Sequence, residues 1–277
     1  AVALPLWSSL FLAALWGGVR KRNLWLLTVA GLCWGLSFYT YLAARFTLIA
    51  VPLLALYLWR VRPETRWWRG WLVLGAVAVA VAAPLGGYVL THWADTMGRI
   101  GQVSVFDEAI GQGRPWRALA RNLVGALLGP FVRGDFIPRH NVPLRAVFDP
   151  LIGLAFLAWI GLALYWMWRD ACYVSTLFWV SVMLLPTVLA EDAPHMLRGS
   201  GVLPTLFILP ALGLAEFVYW MERRNWVTLG YVAIGAVLAF SAGQSVTAYA
   251  RHLRSEAVYY NFEAGATELA VEINRYL

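Results

Sequence analysis

Long apolar runs broken by short arginine-bearing segments set the pattern of this chain. A helix needs about 20 predominantly apolar residues to cross about 30 Å of hydrocarbon. Runs at 3–19, 24–41, 44–59, 71–90, 151–168, 174–190, 201–220 and 226–243 meet or approach that length. The second and third could be one element, but a single helix over 24–59 would be about 54 Å long at 1.5 Å per residue, too long for one crossing. Its flanks, RKRN at 20–23 and RVRPETRWWR at 60–69, are both basic, and short basic flanks favour the cytoplasmic side. Two basic ends on one side require a hairpin. Its tip is YTYLAAR, 39–45, which puts Arg45 at the opposite face.

Carried forward, the alternation places the loops RDACY, 169–173, and MERRN, 221–225, on the same side as 20–23 and 60–70. Those four short loops hold ten of the 22 basic residues. The chain ends, the segment 91–150 and the loop 191–200 then face outward, and long loops translocate largely regardless of charge. Within 91–150, RPWRALARNLVGALL sets Trp116, Leu119, Leu123 and Leu127 near one helical face and Arg117 and Arg121 on another, the pattern of a helix lying in the interface plane. The expected fold is an all-α polytopic membrane protein of about eight transmembrane helices: a bundle over 1–243 whose outer loop 91–150 carries the interfacial helix. A polar region, 244–277, then starts an outer-side soluble piece.

Composition agrees with this. The chain is 61% hydrophobic and 13% charged, with 16 tryptophans and a mean hydropathy of +0.64, whereas soluble domains carry about a quarter charged residues. A net charge of +7 would suggest nucleic acid, but topology absorbs most of the basic residues, so no nucleic-acid partner is expected. Cys33 lies in an apolar run and Cys172 in a short loop, which supports neither a disulfide framework nor a zinc site. No phosphate-cradling glycine loop is present. The opening AVALPLWSSLFLAALW has no basic leader and does not read as a signal peptide; the chain is expected to begin and end within a longer protein.

Polar groups gather at the outer side: Arg45 at the hairpin tip, the stretch FVRGDFIPRHNVPLRAVFDP at 131–150, EDAPHMLR at 191–198, and His92 with Asp95 after the fourth run. Arginine suits phosphate because its planar fork gives bidentate, permanently charged hydrogen bonds. Arginines at the mouth of a bundle, beside an interfacial helix, are what a lipid-linked phosphate requires; the competing role is neutralising lipid head groups by snorkelling. His195 and Arg198 share a face if helical, and the histidine could shuttle a proton or bind a phosphate oxygen. GDFIPRHN offers Asp135, Arg139, His140 and Asn141. Asp135 and Asp149 are candidate general bases by location only, with an ion pair to Arg133 or Arg139 as the structural alternative for Asp135. Asp107–Glu108 and Glu191–Asp192 could bind a cation, yet their spacing specifies no ligand set. No cofactor is expected, a divalent metal being left open.

Three stretches resemble one family. GLCWGLSFYTYLAARFTLIAVPLL, 31–54, is similar to a Gly-Leu-rich helix followed by a tyrosine-threonine turn and an arginine. RGDFIPRHNVPLRAVFDPLIGLAFLAWIGL, 133–162, resembles an outer loop that re-enters the membrane, and PHMLRGSGVLP, 194–204, a His/Arg loop before a late span. The family is the polytopic GT-C glycosyltransferases of protein-mannosyltransferase and aminoarabinose-transferase type (glycosyltransferase family 39-like). The resemblance implies transfer of a sugar from a polyprenyl-phosphate donor to a glycan, lipid or protein acceptor at the outer face of a prokaryotic plasma membrane. Arg45, Tyr41, Arg139, His140, His195 and Arg198 would contact donor phosphate or sugar. The family's catalytic acidic motif, in a first outer loop, has no match at residues 1–30, since the first carboxylate is Glu64. The resemblance therefore implies the C-terminal part of such an enzyme, with the general base elsewhere and Asp135 a weak substitute. Two other classes stand beside it: a non-catalytic membrane scaffold that kept the fold, and a transporter, which would place its polar sites at the midplane.

Overall fold

A computed structural model describes residues 3–94, 96, 98, 104–262 and 264–276. It is 77% helical, with no strand among the described residues; one isolated antiparallel bridge joins Ser104 to Ala190. The principal helices are α1 (Ala3–Lys21), α2 (Leu24–Ser37), α3 (Thr47–Val61, entered through a 3-10 turn at Leu42–Phe46), α4 (Trp68–Thr91), α5 (Pro115–Leu128), α6 (Pro150–Trp166), α7 (Ala171–Val188), α8 (Ile208–Glu222) and α9 (Val227–Leu253). Two more, α10 (Glu256–Asn261) and α11 (Ala264–Tyr276), follow.

Five helical segments are long and apolar enough to cross a membrane: Leu42–Val61, Trp68–Thr91, Ala171–Val188, Ser200–Glu222 and Val227–Leu253. They fit an integral membrane protein. The run expected at 24–41 is helical for only 14 residues, because the chain turns at Phe38–Thr40 and Tyr41 is extended at φ −160°. That at 151–168 forms a helix of 17. At 1.5 Å per residue these span about 21 and 26 Å, short of the hydrocarbon thickness.

The hairpin reading of 24–59 holds. Trp34 Nε1 donates to Thr47 Oγ1 at 2.7 Å across the tip. Helix α4 then packs on α2: Gly70 lies against Leu27, Gly31 against the Leu74 carbonyl, and Gly35 against the Ala78 carbonyl. Both members of each pair advance together by about one turn, so α2 and α4 run parallel and α3 must carry the chain back between them. The glycines permit this spacing, since without Cβ the two backbones come into direct contact. Helix α8 meets α6 in the same way, with Gly213 on the Ala155 carbonyl.

The buried centre is formed by Phe11, Leu15, Leu27, Leu54, Trp159, Trp179 and Met183. Trp179 stacks on Phe11 at 6.0 Å and donates its Nε1 proton to the Gly201 carbonyl at 3.2 Å, so its one polar atom is satisfied. Outer helices show the inverse pattern. Only 11% of the apolar window in α4 and 6% of that in α9 is buried within the protein, and exposed Val79, Leu90, Tyr231 and Val232 lie on them. Apolar surface on this scale suits lipid as the surrounding medium.

At one end of the bundle the basic loops meet: Arg62 pairs with Asp170 at 2.6 Å and with Glu64 at 3.6 Å, and Arg20 lines the same cavity. Both cysteines are free, Cys33 buried and Cys172 exposed. The outer-loop segments gather at the opposite end, where Leu4 at the start of α1 packs with Ala43, Ala44 and Tyr41. The boundary expected after residue 243 falls inside α9, which continues as one helix to Leu253. Its polar residues there form a gripping face: Ser241 bonds Asp149, Ser245 accepts from Arg145 at 3.2 Å, and His252 Nε2 contacts the Pro138 carbonyl at 3.0 Å.

A Cβ on Gly213 would collide with the Ala155 carbonyl oxygen, whereas one on Gly75 would meet nothing within 4 Å. Gly213→Ala is expected to cost about 1–3 kcal/mol by forcing α6 and α8 apart, read as a fall in unfolding temperature in detergent. Gly75→Ala is expected to be neutral or slightly stabilising.

Candidate functional site

The site is assembled from three segments distant in sequence: the turn Tyr41–Phe46, the loop 131–149 and the loop 189–200. The knot between the last two is Asp135. Its side chain is 0% exposed; Oδ1 accepts from Ile137 N–H at 2.9 Å, and Oδ2 accepts from Met196 N–H at 2.8 Å and faces His140 Nδ1 at 3.2 Å. The anticipated arginine partner is replaced by backbone amides and an imidazole. Asp149 is likewise structural: it caps α6 by accepting from Leu151 and Ile152 N–H. Burial works against its ionisation, but those bonds and one with Ser241 outweigh it and hold the carboxyl below its ordinary range.

His140 and His195 form the centre. Their rings lie 4.9 Å apart, tilted by 45°. Asp135 orients His140 with its Nδ1 proton toward the carboxylate, which turns the Nε2 lone pair away. Arg198 N–H donates to His195 Nδ1 at 3.4 Å, so in the neutral ring Nε2 carries the proton. Thr187 Oγ1 fixes the backbone by accepting from His195 N–H at 2.9 Å. Burial, reinforced by the Arg198 cation and only partly opposed by Asp135, pushes the His195 pKa down to about 4. Neutral His195 can donate a hydrogen bond from Nε2, and His140, backed by the buried carboxylate at Nδ1, presents the free Nε2 lone pair as the acceptor.

Arg198 bonds the Glu191 carbonyl at 2.7 Å and its carboxylate at 3.2 Å, and it also lies against the Tyr41 side chain. Tyr41 thus joins the hairpin tip to the His/Arg loop. Arg45, half-buried, sits in the 3-10 turn that packs against both Ser200–Val202 and α7, and no carboxylate among the described residues pairs with it. The Ser200 Oγ is buried without a hydrogen-bond partner among the described residues. Arg139 is exposed and lines, with His140, Asn141 and Arg145 from the loop and Tyr249 and His252 from α9, a cavity of about 380 Å³.

Of the positions expected to act together, Tyr41, Arg45, His140, His195 and Arg198 therefore belong to one connected cluster, with Arg139 on its cavity wall. His92 does not join it: its ring stacks on Tyr88 at 4.3 Å, within its own helix end. Asp95 lies outside the described residues. Asp107 caps a one-turn helix by accepting from Ala109 N–H. Three contributors had no distinguishing sequence signal: Thr187, Ser200 and His252. A fourth had one. Asn122 lies one turn after Ala118 on α5, and its side chain donates to the Val188 and Ala190 carbonyls at 3.2 and 2.6 Å, fastening the helix to the site loop. Of the apolar face read from the sequence, Trp116, Leu123 and Leu127 are exposed and Leu119 is half-buried.

The ligand atoms of Asp135, His140 and His195 all lie within 4.8 Å of one another. The three have the donor chemistry for a transition metal, although the Asp135 oxygens already hold the two loops together. Comparison of the chain with protein-family models, with curated proteins and with solved structures returns no match.

Asp135→Ala would orphan the Ile137 and Met196 N–H groups, at an expected cost of about 2–4 kcal/mol. Arg133→Ala, at an exposed position, should stay within about 0.5 kcal/mol; thermal unfolding compares the two. His195 generates a pH dependence. Its folded pKa of about 4 lies below the 6.5 of an ordinary histidine, so the unfolded chain takes up a proton first as pH falls. Its stabilising contribution is present above pH 6.5 and is lost toward pH 4, by roughly 3 kcal/mol in full. Unfolding temperatures across that window should fall less steeply for His195→Asn.

Proposed function

We propose that the chain is the C-terminal part of a membrane glycosyltransferase of GT-C type, binding a polyprenyl-phosphate-linked sugar donor whose sugar passes to a glycan, lipid or protein acceptor. In this reading α1 and the shorter α2 and α6, each extended by the turn that follows it at 38–40 and 167–169, cross the membrane together with the five segments above, giving about eight crossings. The arginine loops face the cytoplasm of a prokaryote, and both ends of the chain lie outside.

The observation that carries the reading is Arg45. A half-buried guanidinium without a carboxylate partner among the described residues is an electrostatic deficit that an anion would correct. The segment packed against the Arg45 turn carries the Ser200 hydroxyl, which is buried without a partner among the described residues. The three stretches that resemble the family also meet at this one end, through Tyr41 with Arg198 and Asp135 with Met196. Arg198, Tyr41, His195, His140 and Arg139 then line the route from phosphate to sugar.

The scaffold reading has one observation in its favour. Asp135 and Asp149, the two carboxylates of 131–150, are both committed to backbone N–H groups, and Asp135 is fully buried. Neither can reach an acceptor hydroxyl as placed. The donor-binding role does not need them to, since the resemblance puts the base in a different loop.

In nanodiscs, an isoprenyl monophosphate should bind the intact chain, and Arg45→Ala should weaken it about 10- to 100-fold, the worth of a charge-assisted contact. Arg133→Ala is the control and should leave the affinity unchanged. An Arg45→Ala protein that binds as the parent does would refute the phosphate assignment.

A further inference from the structure

Two cavities on one flank share Arg145. The first is the 380 Å³ space beside His140. The second, about 520 Å³, runs along α9 and is lined by Ala239, Phe240, Gly243, Gln244, Thr247 and Ala248, with Arg145 and Arg251. These α9 positions recur at three- and four-residue spacing and so form one stripe. It extends about 18 Å from Ala239 to Arg251 at 1.5 Å per residue. Ala239, Phe240, Gly243 and Ala248 make most of the strip apolar, with Gln244 and Thr247 among them, and a Cβ added to Gly243 would meet nothing within 4 Å, so the groove is open there. Arg251 lies at its end, in the last turn of α9. Arg145 reaches in from the loop, held by its bond to Ser245 Oγ. Neither arginine pairs with a carboxylate among the described residues.

Two permanently charged forks over a one-helix apolar strip match an amphiphile with an anionic head and one chain. A two-chain phospholipid would need a broader floor. The location matters as much as the chemistry. Contacts run from the Arg45 turn through Ser200–Val202 and Arg198 to His195, then to His140, and from the His140 cavity to Arg145 and Arg251. The imidazole pair therefore stands between two cationic groups.

We propose that the α9 groove is a second lipid-phosphate site, taking a single-chain isoprenoid monophosphate with its phosphate between Arg145 and Arg251 and its first isoprene units along Ala239–Gly243. It deepens the donor-binding reading and rests on it: one lipid phosphate binds at Arg45, a second across the histidines, so the acceptor side also receives a membrane-anchored molecule.

The test is photolabelling of the intact chain in nanodiscs with a diazirine-bearing C15 isoprenyl monophosphate, mapped by peptide mass spectrometry. Label is expected in 239–251 as well as in 41–46. Arg145→Gln combined with Arg251→Gln should lower the 239–251 label at least tenfold while keeping that at 41–46, which also shows that the variant is folded. Arg45→Ala should do the reverse. Label at 41–46 alone overturns the second site and leaves the donor reading standing; label at neither position overturns both. Equal displacement of the 239–251 label by phosphatidylglycerol, or its persistence in the double variant, overturns the single-chain phosphate assignment.

Discussion

A carboxylate taken out of water must be fully hydrogen-bonded or it destabilises the fold by several kcal/mol. Asp135 meets that constraint by accepting from two amide groups 59 residues apart in sequence, Ile137 and Met196, with His140 as its third partner. The loop 131–149 and the loop 189–200 can satisfy it only when they lie together. Everything at this end follows from that closure. His140 is aimed by the same oxygen that anchors Met196, His195 is the residue immediately before that anchor, and Arg198 lies two residues after it in the same turn.

The helices below supply a rigid floor for this knot by glycine contacts rather than by large interdigitating side chains. Gly31, Gly35 and Gly213 each place a backbone carbonyl of the neighbouring helix where a side chain would otherwise be. In lipid, where apolar side chains gain little by leaving the solvent, such close approach is a principal source of helix association. Helix α9 is held differently. It buries almost none of its surface in the bundle and is fixed to the site end by Ser241, Ser245 and His252, three polar residues on one face. A helix anchored at its polar end and exposed along its apolar length leaves a lipid-accessible groove beside the site loop.

Much of this was legible in the chain. The alternation of apolar runs and arginine loops gave the hairpin tip at 39–45 and the common end of the basic loops, and helical periodicity gave the exposed apolar face of α5. It misplaced the end of the second run, because the aromatic residues among Phe38–Tyr41 carry the apolar pattern past Ser37 although the backbone has already turned there. It also divided α9 at residue 243, where the polar residues mark a change of partner, from lipid to loop, and not a change of secondary structure. For the site, residue chemistry picked out Tyr41, Arg45, His140, His195 and Arg198 but paired Asp135 with arginine. A charge pattern cannot reveal that backbone N–H groups from another loop will occupy the carboxylate.

The sequence by itself determined which segments are apolar enough to suit a membrane and where the chain turns back between α2 and α3. Hydropathy and loop charge are local quantities, summed over a turn or a span, and they act before any two helices meet. Only the tertiary structure decided which polar groups are neighbours. Asp135 reaches Met196, Pro138 reaches His252 and Tyr41 reaches Arg198 across separations that no periodicity encodes. Those contacts exist because buried donors and acceptors must be matched in space, and that matching is a property of the packed chain.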